Sequence, residues 1–361
     1  MKDYIKGLDG LRAVAIAFVV VHHAHYLTTE LTLSSIAKFL GSGVDLFFII
    51  SGFLITQILL ATKGADNYFR SFYLRRLLRI VPLYYLVLGC AFFIVPILNS
   101  PHLDKLQSTP SWPYWLFLSN FYIAHQGAFT NGLVDLSWSL SVEEQFYIFW
   151  SVCIYLLSLR HIKFLAFTII IFSPVLRYLL VSQGVGHIAI YVMSFTRMDT
   201  LMIGALLAIY RNHRFFTPRF FTWSLILAAI ISPVVMSFMS RRYGVTIYYS
   251  LVGWSYASVT GLVIAASKFE YKDATKVLRF FEWKPLVHVG LYSYGIYLFH
   301  NPIQKGLRVF LVKTNTAFWE SGVSPQILFY IIAILSSAVL GGISFHVYEK
   351  KWVALKSRFE R

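Results

Sequence analysis

Runs of about 20 apolar residues recur along the whole of this 361-residue chain, and nothing else in the sequence constrains the fold as tightly. A helix of about that length crosses a ~30 Å hydrocarbon layer. Inside that layer every backbone N–H and C=O must find a partner within the protein, which leaves only helices and closed barrels. The runs are continuous, with no ten-residue alternation, so helices are predicted and a barrel is not. Composition points the same way: 57% of residues are hydrophobic and 13% charged, against about 25% charged in ordinary soluble domains. Such a chain cannot be disordered, and as a soluble enzyme it could not hide its apolar surface. The expected fold is all-α: a polytopic transmembrane helical bundle.

Ten spans are predicted, over 10–28, 43–61, 80–98, 137–158, 164–181, 188–210, 220–239, 246–267, 288–312 and 326–347. The segment 111–124 is too short to cross and reads as interfacial or re-entrant. Ten spans place both termini on one side. Most of the 32 lysines and arginines fall on that side, which makes it cytoplasmic. The net charge of +16 is thereby explained by orientation, and no nucleic-acid partner is expected. Residues 1–349 form the membrane domain, and 350–361 a short basic cytoplasmic tail, read as an interfacial helix. The first span has a basic flank like that of a signal peptide but no small-residue cleavage pattern, so it is expected to be retained. Cys90 and Cys153 lie in apolar stretches and imply neither disulfide nor zinc. No long internal repeat is evident, which weakens a transporter reading.

Ionisable residues at membrane depth are costly and therefore candidates for function. Arg12 and His23 are 11 residues apart, which on a helix is three turns plus about 20°, so they share a face with about 16 Å of rise between them. One face would then offer a cation at the cytoplasmic edge and a base past mid-membrane; the alternative is a topogenic arginine and a packed histidine. In RSFYLRRLLRIVP, Arg75, Arg76 and Arg79 share about 100° of helix arc. They form either a topogenic cluster or a polyphosphate site, since guanidinium binds phosphate through two parallel hydrogen bonds. Pro82 is expected to begin the third span, where a missing N–H costs little.

Asp45 in GVDLFFIISG is a helix N-terminal carboxylate or a partner that fixes the tautomer of His23. In SWSLSVEEQFY, Ser139 and Glu143 share a face, while Glu143 and Glu144 point about 100° apart. Arg197 and Asp199 do not face each other, so each needs a partner on another helix. The nearby GALLA suggests close packing through small residues. His300 is expected to be a satisfied polar group beside a proline kink. His22 and His25 lack a third ligand of definite spacing, and no metal is expected. Neither a Walker A loop, a dinucleotide fingerprint nor a G-x-S-x-G elbow is present.

Six segments in order, GLDGLRAVAI with HH, GVDLFFIISGFLI, RRLLRIVP, SWSLSVEEQFY, RMDTLMIGALLA and SYGIYLFHNPI, resemble the acyltransferase 3 family. The resemblance covers essentially the whole chain and is to the stand-alone type without an SGNH domain. It implies an acyl-CoA donor, often acetyl-CoA, bound from the cytoplasm. The implied acceptor is a hydroxyl on an exported, lipid-linked or cell-surface glycan such as O-antigen or exopolysaccharide. The implied location is a bacterial inner membrane. The family's Arg-x10-His falls on Arg12 and His23, its Arg-x-x-Arg on Arg76 and Arg79, and its Ser-x3-Glu on Ser139 and Glu143. The usual Glu-x-Pro near the last span is absent at Glu349, which receives no role.

Joined to the residue reading, this implies that Arg12, Arg76 and Arg79 hold the donor phosphates and that His23 is the general base. A transient acyl-histidine is the competing version. Asp45 orients the imidazole, Glu143 holds or activates the acceptor, and Ser139 and Trp138 contact it, with Trp112 and Trp115 as further stacking surfaces. The rival readings are a transporter or flippase of a lipid-linked glycan without acyl chemistry, a signalling or scaffold protein, and another membrane acyltransferase fold built on His300.

Overall fold

A computed structural model describes residues 4–25, 39–98, 109–238, 241–268, 274–314 and 323–359. The end of the first expected span, Lys38, Lys105 and residues 360–361 of the tail lie outside the described residues. Regular structure among the described residues is helical throughout, with no strand.

The chain begins with α1 (Lys6–His25), α2 (Gly43–Thr62) and α3 (Tyr68–Gly89), the last continued by a π and a 3₁₀ turn to Leu98. Two short helices follow, α4 (Trp112–Trp115) and α5 (Ser119–Gln126), neither long enough to cross a membrane. Then come α6 (Ser137–Leu156), α7 (Leu159–Ser182), α8 (His187–Val192), α9 (Met198–Tyr210), α10 (Pro218–Phe238) and α11 (Arg241–Ala266). The series closes with α12 (Ala274–Phe281), α13 (Lys284–Leu291), α14 (Ser293–Thr314), α15 (Val323–Ser344) and α16 (Lys350–Ala354).

Seven helical stretches among the described residues are long and apolar enough to cross a membrane. Three expected spans fall short of that for identifiable reasons. In α6 the polar run Glu143, Glu144, Gln145 interrupts the apolar sequence, and in α14 His300, Asn301, Gln304 and Lys305 do. The third, 188–210, was expected as one helix and is two. Met193 adopts an extended conformation (φ −69°, ψ 136°) and a 3₁₀ turn leads into α9. Irregular backbone at membrane depth must be satisfied by protein. Here Arg177 of α7 donates to the Thr196 carbonyl at 2.5 Å, and the Thr196 hydroxyl donates to the carbonyls of Ile190 (2.6 Å) and Met193 (2.7 Å).

The third span also departs from expectation. It does not start at Pro82: the proline lies inside α3, which begins at Tyr68. Hydroxyls from other helices reach the backbone near it, Tyr294 donating to Ile80 O at 2.7 Å and Tyr348 to Pro82 O at 3.3 Å. Arg75, Arg76 and Arg79 therefore stand on the same rod that crosses the bundle. The ninth span is likewise divided, at Tyr292 between α13 and α14. The last helix runs through a π turn (Phe345–Glu349) into α16 and a 3₁₀ turn ending at Phe359.

Helices α2 and α9 press backbone to backbone. A Cβ on Gly52 would lie 2.0 Å from the Leu201 carbonyl oxygen, and one on Gly204 would lie 2.1 Å from that of Ile49. The small residues of GALLA make this contact, as small-residue faces do between membrane helices. Around this seam one apolar core joins residues of α1, α2, α3, α6 and α14. Side chains such as Ile171, Ile230 and Leu335 on α7, α10 and α15 point outward and are exposed, as a lipid-facing belt would be.

Candidate active site

Two ion pairs lie fully inside the bundle. Asp199 Oδ2 accepts from Arg177 Nη2 at 2.8 Å, and Asp45 Oδ1 accepts from Arg197 Nη2 at 2.6 Å. The adjacent charges of RMD thus find partners on other helices, as their spacing requires. The second pair corrects one expectation. Asp45 does not meet His23; its carboxylate turns to Arg197, and its other oxygen has no hydrogen-bond partner among the described residues. The Arg197 guanidinium lies 4.2 Å from the ring centre of Tyr249 and 5.1 Å from that of Tyr191. A buried cation between an acid and two π faces offsets part of its desolvation.

His23 is half-buried near the end of α1. Its Nδ1 lies 2.8 Å from the Val19 carbonyl oxygen and 3.4 Å from His300 Nε2. The His300 Nδ1 in turn lies 2.8 Å from the Tyr297 carbonyl oxygen. A carbonyl can only accept, so both Nδ1 atoms carry the proton, His300 Nε2 accepts, and the Nε2 of His23 keeps its lone pair. His300, fully buried, therefore stands against His23 where Asp45 was expected. Sequence alone marks a histidine in an apolar run but cannot join residues 277 positions apart.

Arg12, Arg76 and Arg79 converge on one cavity of about 80 Å³, toward the end of the bundle where α2 turns into α3. Ser139, Glu143 and Tyr297 line it too. Glu143 accepts from Ser51 Oγ at 2.9 Å and from the Tyr147 hydroxyl at 2.8 Å. A carboxylate has about four lone-pair sites, so capacity remains. Ser139 Oγ lies 2.6 Å from the Tyr297 hydroxyl. The Tyr297 ring is 5.8 Å from that of His300, which makes it the link between this cavity and the histidine pair. Ser51, Tyr147 and Tyr297 carried no signal beyond ordinary polarity in a span. Trp138, expected to stack on a sugar, is 2% exposed and packs against Phe48 and Tyr191, so its ring has no open face. Trp112, by contrast, is exposed. A second cavity, of about 180 Å³, shares Arg76 and Arg79 with the first and adds Arg75 and Lys356.

At the opposite end, the connection between α5 and α6 is seated on α14. Asn301 Nδ2 and Lys305 Nζ both donate to the Gly132 carbonyl at 2.5 Å, one residue and five residues beyond His300. Asp135 in that connection accepts from the Tyr114 hydroxyl and from the Asn131 N–H, each at 2.7 Å. Burial pushes its carboxyl up to about 6. Among the described residues, no group of three or more His, Cys, Asp or Glu could hold a metal.

Residues 5–345 match the family model described as "Acyltransferase domain". The chain is 28% identical over 369 residues to the peptidoglycan O-acetyltransferase OatA of Listeria monocytogenes, covering 96% of this chain and 56% of that protein. It is 28% identical over 372 residues to the O-acetyltransferase OatA of Staphylococcus aureus, covering 96% and 57%. It thus spans little more than half the length of these curated relatives. No solved structure matches it.

Proposed function

Because the chain belongs to the acyltransferase 3 family, we propose that it transfers an acyl group, acetyl first among them, from acyl-CoA to a hydroxyl of a cell-surface glycan. The setting is a bacterial plasma membrane, with the α2–α3 end facing the cytoplasm. The relatives' names point to peptidoglycan as the glycan class, ahead of the O-antigen or exopolysaccharide implied by resemblance alone. The observation that carries the reading is the convergence of three arginines from two helices on one cavity that ends at Tyr297, beside the histidine pair.

In this mechanism Arg76 and Arg79, with Arg12, hold the donor's phosphates, and the thin arm enters past Ser139 and Glu143 toward the imidazole. The Nε2 of His23 removes the proton of the acceptor hydroxyl as its oxygen attacks the thioester carbonyl. The C–S bond of the tetrahedral intermediate then breaks. The CoA sulfur leaves with the proton returned by the imidazolium, and the glycan keeps the ester. The Val19 carbonyl holds the Nδ1 proton of His23 so that Nε2 is the basic atom, and His300 Nε2, at 3.4 Å, is a second and longer acceptor that steadies the ring. Glu143 accepts a hydrogen bond from the incoming sugar.

The test is transfer of labelled acetyl from acetyl-CoA to cell-wall glycan by the purified protein. General-base catalysis contributes about 10²–10⁴-fold, so His23→Ala should lose turnover on that scale, and equal transfer by both proteins overturns the mechanism. His300→Ala should lower kcat by at least about tenfold with the donor KM unchanged. His300→Gln, whose amide oxygen still accepts from the imidazole, should restore most of it. A flippase without acyl chemistry would release no CoA in a His23-dependent way.

A further inference from the structure

The larger cavity is lined by three guanidiniums and an ammonium, Arg75, Arg76, Arg79 and Lys356, with no carboxylate among the described residues that line it. Among the described residues none of the four forms an ion pair. Cations gathered this closely repel one another unless an anion joins them. Three of them come from α3. The fourth arrives from the far end of the sequence, because the backbone after α16 is tied down onto α3. The Phe359 carbonyl accepts from Ser71 Oγ at 3.1 Å and from Arg75 Nη1 at 3.2 Å. That contact occupies one of the five N–H groups of Arg75. Arg76 and Arg79 line both cavities, so one elongated ligand can lie across them, with its arm in the smaller cavity and its charged end in the larger.

We propose that Lys356 and Arg75 form a second anion subsite, which takes the phosphate on the ribose of the donor nucleotide while Arg76 and Arg79 take its diphosphate. This rests on the donor reading given above. Coenzyme A carries its phosphates in two separate places, a diphosphate in the chain and a monophosphate on the sugar, and the cavity offers two groups of cations in matching order along the path. Lys356 is thereby a specificity residue for the charged end of the donor.

The test compares binding of CoA and 3′-dephospho-CoA to the purified full chain in neutral detergent. Wild type should bind CoA roughly 10–100-fold more tightly, the scale of one charge-assisted contact. Lys356→Ala should bring that ratio close to one with little change for dephospho-CoA, and Lys356→Arg should keep it. Lys356→Met, which retains the apolar stem, should behave as Lys356→Ala and separates lost charge from lost packing. An unchanged ratio in both neutral variants overturns the subsite, as does equal binding of the two nucleotides by wild type. Stabilisation of wild type but not Lys356→Ala by vesicles containing phosphatidylglycerol, with the nucleotide ratio unmoved, assigns the cations to a lipid headgroup and also overturns it. The donor reading fails separately, if Arg76→Ala combined with Arg79→Ala leaves the affinity for both nucleotides intact.

Discussion

Asp45 and the arginine that takes its carboxylate stand 152 residues apart. From the sequence, an acid in an apolar run announces only that it needs a partner, and the nearest chemically sensible one was His23. The partner is settled by how α2 packs on α9, which no local pattern reports. Arg76 and Arg79 were easier to place together, because helical spacing puts them on one face, whereas Arg12, on another helix, meets them only through packing. His300 was the opposite case, since its approach to His23 is made by tertiary packing. The Asp45–Arg197 pair is buried on all sides, so removing one partner leaves a bare charge. Asp45→Ala should destabilise the protein by about 3–5 kcal/mol in detergent unfolding. The joint change Asp45→Leu with Arg197→Met should recover most of that. Turnover lost in Asp45→Ala at unchanged stability would instead return Asp45 to the role of orienting an imidazole.

At the scale of the helix, apolar length is written plainly in the sequence, whereas breaks are not. The run 188–210 contains no proline or glycine between Ile188 and Ile203, yet it divides at Met193. The division is stabilised by Arg177, which reaches it from a neighbouring helix. Pro82 misleads in the other direction. It looks like a start, but other helices supply hydroxyls near it and α3 runs through. The seam between α2 and α9 gives a sharp element-level expectation. Gly204→Val drives a side chain into the backbone of Ile49 and Phe53, which should cost about 1–3 kcal/mol or more by thermal unfolding. Gly89→Ala meets nothing within 4 Å and should be neutral or stabilising by up to about 1 kcal/mol. Equal tolerance at both positions would mean that the two helices are not in backbone contact.

For the molecule as a whole, the uneven distribution of basic residues was the strongest clue to orientation, and it argues that the α2–α3 end faces the cytoplasm. Gln126, at the end of α5, and Arg214, between α9 and α10, are both exposed, and the predicted span order puts them on opposite sides of the membrane. With Cys90 and Cys153 replaced by alanine, a membrane-impermeant maleimide on intact cells should label Gln126→Cys at once and Arg214→Cys only after permeabilisation. The reverse pattern would invert the protein and remove the cytoplasmic donor from the mechanism. The docking of the final turn on Ser71 and Arg75 has a practical side. With the Phe359 carbonyl seated on Ser71 and Arg75 of the basic cavity, an acidic epitope fused beyond it is expected to compete for the cations and a histidine tract to add to them. A handle at the amino-terminal end, or a cleavable one, keeps that charge away from the cavity when binding is measured.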